Sequence, residues 1–324
     1  MKKFSIIVPV YYNELNLPDT IPQLLGLKDK LQGYFLELIF VDDGSGDQSL
    51  DILLDYQAKY PEIIKVVKLT RNFGSMNAVH AGFTVASGDC VGVISADLQD
   101  PPELFPDMIS YWEKGTKVVL AVRQDREESF WQKLFSNTYY FLIRKFAITD
   151  YPKGGFDLII VDRQVVVEVI RTQEKNANIM TIIFWLGFKP VMIPYIRRRR
   201  KKGKSRWTLS RKFKLFVDTL VSFSFFPIRL LSTVGFFVAI GSFIYGLFLL
   251  FYHIFFGTDV EGYVSIMLSI TFLSGIQMAM LGVLGEYIWR TMDEVRHRPS
   301  FVIDMIYEAT KSHVSDINQM QGQE

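Results

Sequence analysis

Three oxygen-bearing side chains, Asp97, Gln99 and Asp100, follow a short apolar run at residues 90–94, and Glu103 comes after two prolines. A strand that ends in such ligands suits a divalent cation such as Mg²⁺, which takes few carboxylates and completes its coordination with phosphate oxygens. Open α/β sheets bind ligands outside the carboxyl ends of their strands. The segment therefore predicts a metal–diphosphate site, and the alternative is a solvated loop with an acidic helix start.

Short apolar runs alternate with amphipathic segments over the first 122 residues. The predicted strands are 5–10, 37–41, 64–69, 90–94 and 117–122. The predicted helices lie around 17–31, 48–59 and 75–86, and a fourth opens at 101–103. This alternation with short loops predicts a parallel, doubly wound α/β sheet. Further elements are expected as strands at 156–161 and 190–196 and as helices at 129–146, 163–172 and 177–186.

Positive charge is concentrated in residues 197–214, which hold eleven Lys or Arg and no Asp or Glu. The rest of the chain keeps 25 basic residues against 34 acidic ones. Attraction to anionic lipid explains such a run, and so does binding of substrate phosphates by some of its members. Nucleic-acid binding is disfavoured, because the run lies just before an apolar segment long enough to cross a membrane.

Two apolar segments, about 230–256 and 263–289, each exceed the roughly 20 residues that a transmembrane helix needs. A short polar loop separates them, so the pattern predicts a helical hairpin with both flanks on one side. The basic run precedes the first span and three arginines follow the second, so both flanks and both termini are predicted to be cytoplasmic, in a multi-pass protein of the inner (plasma) membrane.

The same pattern divides the chain into four parts. Residues 1–208 form the predicted catalytic domain, 209–229 an amphipathic helix lying on the membrane lipids, 230–290 the transmembrane hairpin and 291–324 a cytoplasmic tail. The tail is mixed and polar, and either docking on a neighbouring subunit of a homo-oligomer or disorder would suit it.

Cys90 is the single cysteine of the chain, so no internal disulfide can form. Its neighbours are those of a strand interior. We therefore predict a buried and unreactive thiol.

Four segments of the chain resemble motifs of a known enzyme family. They are residues 8–14 (VPVYYNE), 41–45 (VDDGS), 71–74 (RNFG) and 97–103 (DLQDPPE). In this order and spacing they are similar to family 2 glycosyltransferases with the GT-A fold, a Rossmann-like α/β domain with a mostly parallel sheet. The polyisoprenyl-phosphate branch fits best, including bactoprenol glucosyltransferases and dolichol-phosphate mannose synthase. The resemblance covers roughly residues 4–300.

The sequence departs from the family pattern at two places. The first motif has two tyrosines, Tyr11 and Tyr12, where one is usual. The metal motif is commonly Asp-X-Asp, but its first position is Ser95 here. The resemblance then leaves Asp97 and Gln99 as the expected ligands of Mg²⁺ or Mn²⁺, with Ser95 a weak third.

The resemblance also implies which residues bind the nucleotide-sugar donor. Besides Asp97, they are Pro9, Tyr11 and Glu14 at the nucleoside, Asp42 and Asp43 at the base or ribose, and Arg200 and Ser205 in a loop that closes over the diphosphate. The alternative for Asp42 and Asp43 is a plain acidic turn.

A polyisoprenyl monophosphate is the acceptor that the resemblance implies. Arg123, Arg126 and Lys133 match positions that hold the acceptor phosphate, and the two arginines are also expected to act in catalysis. Asp157 is a candidate base or orienter of the acceptor, or an edge carboxylate without a role. A phosphate is already ionised near pH 7, so positioning matters more than a strong base.

The expected activity is inverting transfer of a sugar, with glucose as the expected one, from a UDP-sugar to undecaprenyl phosphate at the cytoplasmic face. A separate flippase would then move the product across the membrane. The alternatives are a processive polysaccharide synthase, which should show more spans and a Gln-X-X-Arg-Trp motif, and a catalytically silent nucleotide-sugar-binding scaffold.

Overall fold

A computed structural model of the protein describes residues 1–123, 158–172, 179–198 and 262–309, together with scattered positions between 141 and 156 and between 233 and 255. The elements below are numbered within these residues. The strands are β1 Lys2–Val10, β2 Tyr34–Asp42, β3 Ile64–Leu69, β4 Cys90–Val93, β5 Val118–Arg123, β6 Leu158–Asp162, β7 Val191–Tyr195 and β8 Ile303–Tyr307. The helices are α1 Leu17–Leu25, α2 Leu27–Lys30, α3 Ser49–Lys59, α4 Ser75–Val85, α5 Phe105–Glu113, α6 Arg163–Arg171, α7 Ile179–Trp185 and α8 Tyr263–Val295, with a 3₁₀ turn at Pro102–Leu104.

The described strands form one eight-stranded sheet in the order β7-β5-β6-β4-β1-β2-β3-β8. β1 pairs in parallel with β2 and β4, β2 with β3, and β5 with β7. β6 is antiparallel to β4 and β5, and β8 is antiparallel to β3. The predicted α/β fold with a mostly parallel sheet is therefore confirmed, with two reversed strands that a purely parallel arrangement does not include.

The central strands are apolar along their whole length because helices cover both sheet faces. Ile6, Ile7 and Val8 of β1 have no exposed surface although consecutive residues point to opposite faces. On one face α4 comes so close to β1 that a Cβ at Gly82 would overlap the Ile7 side chain. This packing fixes the strand ends that carry the polar motifs.

Element boundaries differ from the predictions by a few residues. The helix predicted over 17–31 is broken at Gly26 into α1 and α2, as expected for a residue that disfavours helix interiors. The strand predicted at 156–161 is Leu158–Asp162 and ends in Asp162, which caps α6 by accepting a hydrogen bond from the Gln164 amide.

The described residues after position 291 lie in a helix and a strand, where the sequence predicted a cytoplasmic tail. Helix α8 continues to Val295, and Ile303–Tyr307 then forms β8 at the edge of the sheet. Lys68 of β3 pairs with Asp304 of β8 at 2.5 Å, and Val302 accepts a hydrogen bond from the Thr70 amide. Residues Met1–Phe213 and Pro299–Glu324 accordingly form one compact unit, and Lys214–Arg298 form a second.

Among the described residues, one helix is long and apolar enough to cross a membrane, within α8 at Phe272–Val295. Large apolar side chains are exposed along α8, namely Ile266, Ile270, Phe272, Met278, Leu281, Leu284, Ile288 and Trp289. The predicted first span, about 230–256, is described only at scattered helical positions, and the amphipathic helix predicted at 209–229 lies outside the described residues. The two-helix hairpin thus stays a prediction.

Candidate functional site

Four parallel strands, β1 to β4, end along one edge of the sheet, and a polar segment follows each of them. The register places Val10 opposite Asp42, and the Ile94 amide donates to the Ile7 carbonyl. Because neighbouring parallel strands end side by side, residues far apart in sequence meet there. This is the edge at which open α/β sheets bind ligands.

The first segment begins with a strained tyrosine. Tyr12 has φ +54°, which is uncommon for a bulky residue, and its amide donates to the Ser45 hydroxyl at 3.0 Å. A Cβ at Gly46 would lie 2.8 Å from the Tyr12 hydroxyl, so the tyrosine lies directly against the second segment. The Tyr11 and Tyr12 rings meet edge to face at 4.7 Å, and Tyr12 stays 42% exposed. The doubled tyrosine therefore presents an aromatic surface at this edge.

Glu14 joins the first segment to the start of α3. Its carboxylate accepts a hydrogen bond from the Gln48 amide at 3.1 Å, and its own amide donates to Asp47 at 3.3 Å. The Asn13 amide donates to the Ser49 hydroxyl at 2.8 Å. Pro9, another predicted donor contact, lies in β1 beside Val41. The structure thus brings Glu14 to the site edge as a half-buried side chain that already holds a backbone amide.

Asp42 and Asp43 are both buried at the end of β2. Both oxygens of Asp42 lie 3.3 Å from the Ser45 amide. Asp43 accepts the Phe73 amide at 2.7 Å and the Gly74 amide at 2.9 Å, so it holds the loop that precedes α4. Burial raises the pKa of each carboxyl group, and the hydrogen bonds only partly oppose that effect.

Gly44 is the residue that lets this turn approach the third segment. Its φ is +69°, and a Cβ there would lie 2.7 Å from the Arg71 carbonyl carbon and 2.9 Å from the Asn72 nitrogen. Arg71 is exposed and its guanidinium lies 4.2 Å from the centre of the Phe73 ring. The motif at 71–74 entered the sequence analysis only as a family signature, but the structure adds Arg71 as a cation at this edge.

The fourth segment carries the predicted metal ligands, Asp97 and Gln99, both half-buried. Asp97 Oδ1 accepts from the Ser95 hydroxyl at 2.9 Å and from the Gln99 amide at 3.3 Å. Leu98 between them has φ +52°, a left-handed turn that is uncommon outside glycine. Ser95, expected as a weak ligand, is a hydrogen-bond donor to the carboxylate.

The Asp97 and Gln99 side chains suit a divalent cation that takes its other ligands from a diphosphate. No group of three or more His, Cys, Asp or Glu that could hold a metal occurs in the described part of the chain. Mg²⁺ in such sites commonly uses one or two carboxylates together with substrate phosphates and water. The Asp97 carboxylate and the side-chain carbonyl oxygen of Gln99 would provide that minimal set.

Arg123 ends β5 opposite Tyr195 of β7, is 9% exposed, and its positive charge lies near the Tyr195 hydroxyl. That hydroxyl in turn contacts the buried carboxylate of Asp100. The sequence analysis did not find Tyr195, because no local pattern distinguishes it from an ordinary core tyrosine.

Five predicted site residues lie outside the described residues. They are Arg126, Lys133, Asp157, Arg200 and Ser205. The structure brings the other predicted residues to one sheet edge or, for Arg123, to the interior beside it.

Comparison with known proteins gives a consistent family. The family model described as glycosyl transferase family 2 matches residues 5–216. A bactoprenol glucosyl transferase of Shigella phage SfV is 34% identical over 93% of this chain and 98% of its own length. An undecaprenyl-phosphate 4-deoxy-4-formamido-L-arabinose transferase of Pectobacterium atrosepticum is 33% identical over 95% of each chain.

Solved structures include a similar chain at lower identity. Glucosyl-3-phosphoglycerate synthase from Mycobacterium tuberculosis, in complex with uridine diphosphate, has a TM-score of 0.48 and 16% identity, covering 68% of this chain and 79% of its own.

Proposed function

Because the chain belongs to glycosyl transferase family 2, we propose that it transfers a sugar from a UDP-sugar to a polyisoprenyl phosphate at the cytoplasmic face of the membrane. In this reaction an oxygen of the acceptor phosphate forms a bond to the anomeric carbon as the bond from that carbon to UDP breaks. The configuration inverts, since a single displacement occurs. The product is a polyisoprenyl-phosphate sugar, for which a separate flippase is the expected next partner.

One observation carries the proposal: four polar segments meet at one sheet edge and are fixed there by hydrogen bonds. Asp43 holds the third segment, Ser45 holds the first, and Ser95 holds Asp97 in the fourth. Such fixed geometry is what a transferase needs, since holding donor and acceptor in line supplies much of the rate. A protein that only binds a nucleotide sugar does not need to hold a donor and an acceptor in line.

The donor diphosphate would lie at Asp97 and Gln99, which would hold Mg²⁺ or Mn²⁺. The cation supplies Lewis-acid stabilisation of the charge that develops on the leaving UDP. Asp42 and Asp43 would accept hydrogen bonds from the base or ribose, and Tyr11 would lie beside the nucleoside. Arg200 and Ser205 are proposed to cover the diphosphate from the carboxyl side.

The acceptor assignment is supported by the relatives named for bactoprenol and undecaprenyl phosphate, which match this chain over nearly its whole length. Exposed apolar side chains along α8 support contact with membrane lipid, where such an acceptor resides. Arg123, Arg126 and Lys133 are the proposed phosphate contacts, and Asp157 is the proposed base or orienter of the acceptor.

Glucose is the proposed sugar, but the relatives are named for two different sugars, so the test uses a donor panel. Purified full-length protein in detergent is incubated with undecaprenyl phosphate, Mg²⁺ or Mn²⁺, and radiolabelled UDP-sugars or GDP-mannose, and the organic phase is counted. We expect label from a UDP-sugar, and loss of at least about 100-fold on Asp97→Asn, which removes a ligand of the leaving-group cation.

Asp107→Asn is the matched control, because it removes an exposed carboxylate ten residues downstream. It should leave transfer unchanged. If the wild type binds UDP but labels no lipid from any donor, the transferase assignment to this acceptor is wrong and the scaffold alternative gains.

A further inference from the structure

Asp100 is a carboxylate with no exposed surface at the end of the segment that carries Asp97. A buried charge is tolerated only when partners satisfy it. Asp100 accepts a hydrogen bond from the Tyr195 hydroxyl, lies 3.1 Å from the Ser95 hydroxyl, and has Arg197 Nε at 3.5 Å. These partners come from two separate parts of the chain, residue 95 and residues 195–197.

Tyr195 extends the contacts to a second cation. It is 5% exposed and lies directly opposite Arg123 in the parallel pairing of β5 with β7. Side chains at paired positions of neighbouring strands lie on the same sheet face, so Arg123 and Tyr195 lie side by side on one face. Arg123, Tyr195 and Asp100 therefore form one buried cluster, in which the Tyr195 hydroxyl donates a hydrogen bond to Asp100.

Ser95 connects the buried group of Arg123, Tyr195 and Asp100 to Asp97. Its hydroxyl lies 2.9 Å from Asp97 Oδ1 and 3.1 Å from Asp100 Oδ2. A hydroxyl has one proton to donate, so the two carboxylates share a single donor. An aspartate at position 95 would add a third carboxylate without a proton to donate. The serine thus turns a metal-ligand position into a link between Asp97 and the buried Asp100.

The segment that carries Asp97 also binds the first residues of the basic run. Arg197 lies beside Asp100, and the Arg198 amide donates to the Gln99 carbonyl at 2.9 Å. Arg198 also pairs with Glu103 at 3.1 Å. The start of the basic run and the segment that carries Asp97 are therefore one hydrogen-bonded unit.

We propose that Asp100, Tyr195 and Arg123 are positioning residues that, through Ser95, fix the Asp97 carboxylate for its cation and that hold Arg197 beside the same segment. The proposal rests on the proposed function, since it assigns roles at the same donor site. Arg123 then acts through Tyr195 and Asp100. Partners of metal ligands have this kind of influence, and their loss commonly weakens metal binding by about 10–100-fold.

The test measures Mn²⁺ and UDP binding directly. Full-length Ser95→Ala, Asp100→Asn and Tyr195→Phe are titrated with Mn²⁺ in the presence of UDP and followed by electron paramagnetic resonance, and thermal unfolding of each is recorded. We expect Mn²⁺ affinity to fall about 10-fold or more in all three. Asp100→Glu should not restore it, since a longer side chain does not fit the buried position.

Asp162→Asn is the control for a purely structural effect. Asp162 holds Trp112 at 2.8 Å and Lys117 at 3.0 Å, and it pairs with Cys90 at the amino end of β4, away from the site edge. This variant should lose stability and keep wild-type Mn²⁺ affinity. Glu168→Gln, which removes an exposed ion pair with Arg171 on α6, should change neither.

Two results would overturn the proposal. One is Mn²⁺ affinity within about two-fold of wild type in the three variants, with only their unfolding temperature lowered as in Asp162→Asn. The other is wild-type protein that binds no Mn²⁺ with UDP. If wild type binds both but transfers no sugar, the proposed function fails while the binding comparison still decides the role of this network.

Discussion

Replacing Glu37 by glutamine tests how far the amino edge of the sheet depends on one buried charge. Glu37 is 5% exposed. Its carboxylate accepts from Lys3 Nζ at 2.9 Å, the Ser5 hydroxyl at 2.5 Å, and the Ser87 amide and hydroxyl at 3.0 and 2.8 Å. Lys65 Nζ lies 3.7 Å from the same carboxylate. Glutamine keeps the shape and removes the charge that these donors surround.

The size of the effect follows from the pKa of Glu37. Burial alone would raise it, but hydrogen bonds from Ser5, Lys3 and Ser87 outweigh burial and lower the pKa from 4.5 to about 2. A lowered carboxyl pKa stabilises the folded protein fully above pH 4.5, and this stabilisation disappears as the pH falls toward 2. At about 1.4 kcal/mol per pKa unit, the expected contribution at pH 7 is about 3 kcal/mol. Roughly half of it is lost by pH 3.

Thermal unfolding of the full-length protein in detergent, followed by tryptophan fluorescence, measures this effect. A loss of about 3 kcal/mol corresponds to an unfolding temperature lower by about 6–12 °C in a domain of this size. Glu62→Gln is the matched control, because the exposed Glu62 and Glu37 line one open surface pocket, and its effect should stay within about 0.5 kcal/mol. The reasoning is refuted if the two variants unfold alike, or if the loss in Glu37→Gln is equal at pH 3 and pH 7.

Three further outcomes are expected. Gly44→Ala should weaken UDP binding, measured by calorimetric titration, by about 10-fold or more, since a Cβ at φ +69° would press on the Arg71 and Asn72 backbone. Asp43→Asn should cost about 1–3 kcal/mol in thermal unfolding, because an amide nitrogen cannot accept one of the two loop amides that the carboxylate holds. Burial raises the pKa of the Cys90 thiol, so a maleimide should label it only after denaturation.

The elements with the clearest apolar patterns were predicted from the sequence to within one residue. Strand β3 begins and ends where the apolar run does, at Ile64 and Leu69, and β4 and α4 differ from their predictions by one residue. Parallel strands buried on both faces are nearly continuous apolar runs, so composition alone reveals them. The convergence of four motifs at one edge then follows from the rule that ligands bind at the carboxyl ends of such strands.

Other features depend on contacts that no local pattern encodes. Strand β8 is five residues long and its partner β3 lies more than 230 positions earlier in the chain, so its pairing is invisible to periodicity. Arg123 matches a family position that holds the acceptor phosphate, and that role stays a prediction, but its place opposite Tyr195 of β7 could not be predicted from the sequence. Both cases are decided by strand order, which is a property of the folded sheet.

The two edges of the sheet use buried carboxylates in opposite ways. At the amino edge, Glu37 has enough donors to overcome burial, and its pKa falls. At the carboxyl edge, burial exceeds what the backbone amides offer Asp42 and Asp43, and the pKa of each is raised. A raised carboxyl pKa means that ionisation of these groups opposes folding as the pH rises. Any further hydrogen-bond donor would therefore stabilise the ionised forms of Asp42 and Asp43. The hydroxyl and N–H groups of a bound nucleoside are hydrogen-bond donors of that kind. Binding of a nucleotide sugar would add such hydrogen bonds and would therefore stabilise the folded protein.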